Sequence, residues 1–368
     1  MYLKKIKIKN YKNLSDLELN FSVKINCFTG NNGMGKTNLL DAIYFLSNTR
    51  SYFNHIDQQN IKYGEKHFFI EGIFEKNNDT NTVTSSFSAE KGKTFKLNNK
   101  KQKKLSAHYG LFPVIIITPY DINLITDGSE LRRSFVDSII SLYDKEYLQL
   151  LINYKKILSQ RNSLLKKFSE KKIFDKNYLE IFDKKIIDIS PIIHQKRKNF
   201  ITNLVPLFNT YYKKISGNNE EVGLKYNSEL NSKKIEDILE NNQTKDRILN
   251  RTTGGIHKDD LLFTINDYPL KKHGSQGQQK TYLTALKFAQ SDFLKKYTGI
   301  RPIMLLDDIF DKLDTQRVQN IVKLVSNEHF GQIFITHTDK NKLEQILKPV
   351  NNDFLVFDIN KGEASNKK

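Results

Sequence analysis

The sequence predicts an α/β fold: a mixed sheet with helices and an antiparallel β section, interrupted by an inserted, mainly helical lobe. Three observations lead there. A short apolar strand, Val23 to Thr29, runs into a glycine-rich loop and then a helix. A second apolar strand, Ile303 to Leu306, ends in an Asp pair. Between them, Leu131 to Ile215 keeps helical spacing with no strand signal. Two halves that each hold part of one constellation indicate a discontinuous domain of residues 1–130 and 246–368, with residues 131–245 inserted as a helical lobe.

The elements follow in order. Leu3, Ile6, Ile8 and Tyr11 alternate with lysines, which reads as an edge strand with one solvated face. Asn10 and Asn13 mark a turn, and Leu17, Leu19 and Phe21 repeat the alternation. The helix after the glycine-rich loop is expected over Asn38 to Ser47. Phe68 to Phe74, Val83 to Ala89 and Thr94 to Leu97 are three β segments divided by turn residues. The basic run Lys100, Lys101, Lys103 and Lys104 is either solvated surface or a contact. Val114 to Ile117 is a buried strand that stops before Pro119. In the helical block, Pro191 and Pro206 are expected to punctuate or kink the helices, and Gly217, Asn218 and Asn219 to end them. Strands resume near Gly223 to Tyr226 and Leu261 to Ile265, followed by a helix over Gln278 to Lys296. A helix from Asp314 to Val325 leads to a last core strand, Gln332 to Ile335, and the polar tail from Lys361 is expected to fray.

Composition bounds the function. Of 368 residues, 59 are Lys or Arg and 41 are Asp or Glu, a net charge of +18. That excess points to a polyanionic partner, nucleic acid first and an anionic membrane second. It is also what an AT-rich genome would produce, since Lys, Asn and Ile crowd the whole chain. One cysteine, Cys27, excludes a disulfide framework and a Cys-rich zinc site, and fits a reducing compartment. No run approaches the roughly 20 apolar residues that span a bilayer. The opening residues lack the apolar stretch of a signal peptide. The expectation is a soluble, cytoplasmic protein without a membrane partner.

Residues 30–37 read Gly-Asn-Asn-Gly-Met-Gly-Lys-Thr, a match to G-x-x-x-x-G-K-[ST]. Gly30, Asn31, Asn32, Gly33, Met34 and Gly35 form a loop whose backbone N–H groups can turn inward on a β-phosphate. Lys36 would bridge β- and γ-phosphates, and Thr37 would offer its hydroxyl to Mg²⁺. The following helix adds its positive end. The ligand expected is therefore ATP with Mg²⁺. At the end of the strand Ile303–Leu306, Asp307 would hold the Mg²⁺ directly or through water, and Asp308 would orient or deprotonate the attacking water. Residues 274–279, Gly-Ser-Gln-Gly-Gln-Gln, make a small turn at a helix start: an anion site, or an ordinary helix cap with Ser275 as the cap residue.

In this order, the P-loop, the Ser-x-Gly-Gln turn, the Asp-ended strand and Leu313-Asp314 resemble the ABC-type ATPase heads. The resemblance implies that Ser275, Gly277 and Gln278 reach across a dimer to the γ-phosphate held by a partner copy. It implies that Asp314 belongs to a D-loop and that His337 is a switch histidine. Two departures stand out: Asp308 occupies a place that is often Glu, and Thr118-Pro119-Tyr120-Asp121 stands where a Q-loop glutamine belongs. The chain is further similar to the RecF family of bacterial recombination mediators, a short-armed branch of the SMC and Rad50-like heads. That similarity is carried by the opening Leu-Lys-Lys-Ile-Lys-Ile-Lys-Asn-Tyr-Lys-Asn-Leu, by Thr118 to Asp121 with Glu130 to Asp137, by Gln160 to Leu165, and by Gly255-Ile256-His257-Lys258-Asp259-Asp260. Ile256 and Lys258 replace the family's Pro and Arg in the last of these.

The RecF resemblance implies an ATP-dependent DNA-binding protein of recombinational repair and replication. Two ATP-closed heads would clamp gapped duplex or a single-/double-strand junction, with slow hydrolysis for release. It would help load the strand-exchange recombinase together with RecO and RecR. The alternative is an ATPase subunit of a transporter-like complex; a metabolic P-loop kinase would leave the signature turn and Leu313-Asp314 without a task. Candidate DNA contacts are the Lys100–Lys104 run, Arg132 and Arg133, the last two equally suited to structural ion pairs. Arg50 follows the P-loop helix and suits either a ligand or the helix end.

Overall fold

The computed structural model describes residues 1–217, 220–311, 313–326, 330–347 and 354–366. In chain order the elements are β1 (Tyr2–Tyr11), β2 (Leu14–Asn20), β3 (Ile25–Thr29), α1 (Lys36–Asn48), β4 (His67–Lys76), β5 (Asp79–Ser88), β6 (Gly92–Leu97), β7 (Lys100–Lys101) and β8 (Val114–Ile117). Then come α2 (Asn123–Thr126), α3 (Ser129–Tyr143), α4 (Lys145–Lys171), α5 (Lys176–Ser216), β9 (Val222–Asn227), α6 (Ile235–Leu249), β10 (Asp260–Ile265), β11 (Tyr268–Pro269) and α7 (Leu270–His273). The chain closes with α8 (Gln276–Thr298), β12 (Ile303–Leu306), α9 (Thr315–Ser326), β13 (Ile333–His337), α10 (Lys340–Leu347), β14 (Phe354–Asn360) and β15 (Glu363–Asn366). They form two compact units: Met1–Asp121 with Tyr211–Gly217 and Gln276–Lys368, and Ile122–Thr210 with Asn218–Ser275.

The first unit holds two six-stranded sheets. One is antiparallel, in the order β2-β1-β4-β5-β6-β7. The other runs β15-β14-β3-β13-β12-β8, parallel except for β15. Every residue of β3, β8, β12 and β13 is buried, which is why these strands read as continuous apolar runs. Helix α1 touches β1, β4 and β5 of the first sheet and β8 and β13 of the second. Phe45 on α1 packs edge-on against Tyr11 and Phe68. Phe21 meets Phe334 at 4.8 Å between ring centres and Phe357 at 5.8 Å. Most residues of α1 are buried between the two sheets.

The second unit contains α3, α4, most of α5, α6, and a small antiparallel sheet in the order β11-β10-β9. Its interior is ionic as well as apolar. Arg197, 3% exposed, pairs with Asp137 at 3.0 Å and Asp259 at 2.9 Å, and donates to the Ile256 carbonyl at 2.7 Å. Burial works against its charge, yet Asp137, Tyr147, Tyr226 and Asp259 hold it firmly protonated.

Several expectations are corrected. β1 is not an edge strand; it lies between β2 and β4, and its alternation reports a solvated face only. Pro191 and Pro206 both sit inside the single helix α5. A buried stripe of Leu179, Ile186, Ile193, Phe200, Leu204 and Phe208 outweighs the two lost N–H bonds. Helix α6 is an addition to the elements that periodicity marks. The compact units divide at Asp121/Ile122 and Ser275/Gln276, with β10, β11 and α7 in the second unit. β13 is not the last core strand, because β14 pairs with β3 beyond it, and residues 363–366 form β15 instead of fraying. Asn218 and Asn219 lie outside the described residues. No described helix is long and apolar enough to cross a membrane.

Candidate nucleotide site

The site is assembled where β3, β12 and β13 end side by side. The loop Gly30–Gly35 leaves β3 and enters α1 at Lys36. Gly30 has φ +138°, and a Cβ there would lie 2.2 Å from the Ile359 carbonyl oxygen of β14. A Cβ on Gly35, at φ +115°, would come within 3.0 Å of the Asn13 side chain. Asn13 donates to the Gly33 carbonyl at 2.9 Å and accepts from Asn38 at 2.8 Å. Gly362 N–H donates to the Met34 carbonyl at 3.0 Å. The loop is therefore gripped by the β1–β2 turn on one side and the β14–β15 turn on the other.

Lys36 is 5% exposed, and its ammonium donates to the carbonyls of Gly30 at 2.7 Å and Asn31 at 3.0 Å. Burial pulls its pKa down, while the Asp308 and Asp307 carboxylates pull it up. The Thr37 hydroxyl lies 2.9 and 3.0 Å from the two Asp307 carboxylate oxygens. Asp307 stands at the end of β12, 4% exposed, with its N–H on the Ile117 carbonyl at 2.8 Å. Burial raises its carboxyl pKa, and hydrogen bonds from Thr336 and Thr37 work against that rise.

Thr336, the penultimate residue of β13, stands in the sequence just past the expected strand Gln332–Ile335 and next to His337, with no role of its own. Its hydroxyl donates to Asp307 Oδ1 at 2.7 Å and accepts the Asp308 N–H at 3.0 Å. Asp308 itself adopts the left-handed conformation, φ 45°. Lys280, two residues past Gln278 on α8, donates to the carbonyls of Asp308 at 3.0 Å and Asp311 at 2.6 Å. Its place directly after the Ser-x-Gly-Gln turn is the one available signal. Thr336 has no such signal, because only the pairing of β13 with both β3 and β12 sets it beside Asp307.

His337 ends β13, 8% exposed, and its Nδ1 accepts the Asp339 N–H at 2.9 Å. Ser275 is exposed at the end of the second unit, whereas Gly277 and Gln278 are half-buried on the first turn of α8 in the first unit. Asp314 acts as a helix cap: it accepts from the Arg317 N–H at 2.9 Å and pairs with the Arg317 guanidinium at 3.1 Å. Where a Q-loop glutamine would stand, Asp121 is buried and accepts from Thr118 N–H at 2.6 Å, Tyr52 Oη at 2.5 Å and Lys287 at 3.1 Å. Asp121 ties β8 to the segment after α1 and to α8. Arg132 is committed to Asp260 at 2.6 Å and to the Leu124 and Asp127 carbonyls, a structural pair. Arg133 donates to Ser129 and the Asp259 carbonyl. Lys100, Lys101, Lys103, Lys104 and Arg50 are exposed.

The donor set suits a nucleotide and a hard divalent cation. The Thr37 hydroxyl and an Asp307 carboxylate already share one spot, as oxygen ligands for Mg²⁺ must. A lysine inside a loop of inward backbone suits phosphate oxygens.

Comparison with known proteins identifies the family. Residues 2–355 match the model of the RecF/RecN/SMC N-terminal domain. The chain is 47% identical to the DNA replication and repair protein RecF of Flavobacterium johnsoniae, over 98% of this chain and 100% of that one. It is 46% identical to that of Phocaeicola vulgatus, over 100% and 99%. A solved structure of the recombination mediator protein RecF with ATP in the RecFOR pathway superposes with a TM-score of 0.89 at 32% identity, covering 100% of this chain and 98% of the other. An Smc head bound to the winged-helix domain of ScpA shares the fold, at a TM-score of 0.61 and 14% identity over 100% of this chain and 97% of that one. With relatives this similar along its whole length, and with the ABC-type ATPase head fold, the chain belongs to the RecF family within the RecF/RecN/SMC proteins.

Proposed function

We propose that this chain is an ATP-switched DNA-binding ATPase of replication and recombinational repair, acting in the cytoplasm. The observation that carries the reading is the convergence of Lys36, Thr37, Asp307 and Thr336 at the ends of three adjacent parallel strands. Gly30 to Gly35 would wrap the ATP phosphates with backbone N–H groups. Lys36 would leave its two carbonyl partners for phosphate oxygens, a short move for a side chain that is already desolvated. Thr37 and Asp307 would hold Mg²⁺, which supplies positive charge for the phosphates when bound. Asp308 would orient the attacking water and take its proton, and His337, at the end of β13, would serve as the switch histidine. Its short side chain, in place of Glu, favours slow turnover, so that ATP acts as a switch.

Residues 1–130 and 246–368 are the head by sequence, and we assign that role to the first compact unit. Ser275, just before α8, and Gly277 and Gln278 on its first turn would meet the γ-phosphate on a second copy. Asp314, held by Arg317, would line the same seam. Two closed heads would grip gapped or junction DNA. By likeness to the relative of the RecFOR pathway, RecO and RecR are the partners expected in loading the strand-exchange recombinase.

Light scattering with ATP and Mg²⁺ tests the switch. Wild type is expected to be a monomer without ATP. Asp308→Asn should accumulate dimer with ATP, and Lys36→Arg should stay monomeric. A mass unchanged by ATP in Asp308→Asn at every concentration tried would refute the mechanism.

A further inference from the structure

The loop Arg251–Asp260 takes no part in the nucleotide site, yet it is one of the most heavily braced segments of the second unit. Asp246 Oδ1 accepts the Thr253 N–H at 2.8 Å and its hydroxyl at 2.6 Å. Arg161, fully buried, donates to Asp246 Oδ2 at 2.6 Å and to the Thr252 hydroxyl at 2.9 Å. His257 lies between Tyr154 Oη at 2.8 Å and the Thr252 carbonyl at 3.1 Å. Gly254 sits so close to α6 that a Cβ would come within 2.5 Å of Ile238. Buried polar partners thus fix the shape of the loop before any ligand arrives.

What this frame presents outward is cationic. Arg251 and Lys258 are exposed on the loop, and Lys245 is exposed on α6 beside Asp246. Arg133 approaches from α3, donating to the Asp259 carbonyl at 2.7 Å. Lys245, Arg251 and Lys258 make no ion pair among the described residues. Burial and then repulsion from Arg251, Arg133 and Lys245 pull the Lys258 pKa down. Asp246 acts in the opposite sense, but it is buried and already paired with Arg161. A rigid loop that gathers unpaired cations against their own repulsion has the chemistry of a phosphate site, where charge-assisted hydrogen bonds offset that repulsion.

We propose that Lys245, Arg251 and Lys258 form a phosphate-binding site on the second unit that takes the backbone phosphates of nucleic acid. The choice of a polymer over a free phosphate rests on the DNA reading above; the anion chemistry rests on the loop alone. Arg251 and Lys258 reach solvent from a fixed backbone, so the contact would position DNA without reading its sequence.

Fluorescence anisotropy of a labelled gapped duplex, over a range of salt, tests it. The variant Lys245→Gln/Arg251→Gln/Lys258→Gln is compared with Lys100→Gln/Lys101→Gln/Lys103→Gln in the first unit. Each lost contact should reduce the salt slope by about one, so the loop variant should bind on the order of tenfold or more weakly at moderate salt. Lys258→Gln alone should lose about one unit of slope, which keeps the test decisive if the triple variant folds poorly. Lys258→Arg should bind as wild type does. Wild-type affinity and slope in a folded loop variant overturn the site. If wild type binds no DNA, the DNA reading fails, and calorimetric titration with inorganic pyrophosphate follows. Pyrophosphate binding that the loop variant loses leaves a small-anion site and overturns the polymer; no binding overturns the site itself.

Discussion

Replacing Thr336 by Val isolates the hydroxyl that joins the Asp pair to β13. The side chain is fully buried, donates to Asp307 at 2.7 Å and accepts from the Asp308 N–H at 3.0 Å. Val keeps the shape and removes only the polar atom. A hydrogen bond to a charged acceptor contributes about 1.5–3 kcal/mol, and an orphaned buried N–H costs about 1–3 kcal/mol. Asp308 is half-buried, so water recovers part of the second amount. The expected loss is about 3 kcal/mol. Thr336→Ser keeps the hydroxyl and removes one buried methyl, for a loss of about 1 kcal/mol. The two units need not unfold together, so amide exchange of β12 and β13 in urea is the suitable probe. With slopes of about 1–3 kcal/mol per molar urea, the Val midpoint should fall by about 1–3 M and the Ser midpoint by about a third of that. A Val variant that unfolds with wild type, or a Ser variant that falls as far as Val, refutes the bridging role.

Two further outcomes follow from the second unit. Arg197→Met leaves Asp137 and Asp259 buried without their cation and should destabilise that unit by about 3–5 kcal/mol, measured by chemical denaturation with exchange on α3 and β10. Arg197→Lys should restore little, because one ammonium cannot reproduce a guanidinium's several fixed donors. His257 is pushed down to about 4, chiefly by burial, so it stays neutral in the fold. Its contribution is complete above the unfolded value of about 6.5 and is lost as pH falls toward 4, by up to about 3 kcal/mol. A denaturation series across that window should show the loss in wild type and a flatter profile in His257→Gln.

Much of the site was legible in the sequence because its chemistry is local. Gly30 to Thr37 are contiguous, and a loop that turns so tightly needs glycine where φ is positive. Asp307 was legible only in combination: an apolar strand ending in a carboxylate is ordinary by itself, and the Gly30–Thr37 loop is what gives that carboxylate a task. The residues that support these groups were not. Asn13 grips the loop from 20 positions away, and Thr336 reaches Asp307 across 29. Asn13 lies in the opening stretch that carries the family resemblance and Thr336 stands next to His337, but linear spacing does not tell which group either of them touches. Asp121 is similar: in the sequence it stands as a gap in a pattern, and in the fold it is a buried tie among Thr118, Tyr52 and Lys287.

The sequence by itself determined the α/β class, the long helical stretch, the glycine-rich loop and the Asp-ended strand. Periodicity and contiguous glycines act over a few residues, so they survive in one dimension. Only the tertiary structure decided that β1 is an internal strand, that α5 runs through two prolines and that the units divide at Asp121 and Ser275. It alone set Thr336 and Lys280 around the Asp pair, and it alone brought Lys245, Arg251 and Arg133 near Lys258. Strand order, burial and charge pairing depend on residues far apart in the chain, and folding is what brings them within a few ångströms.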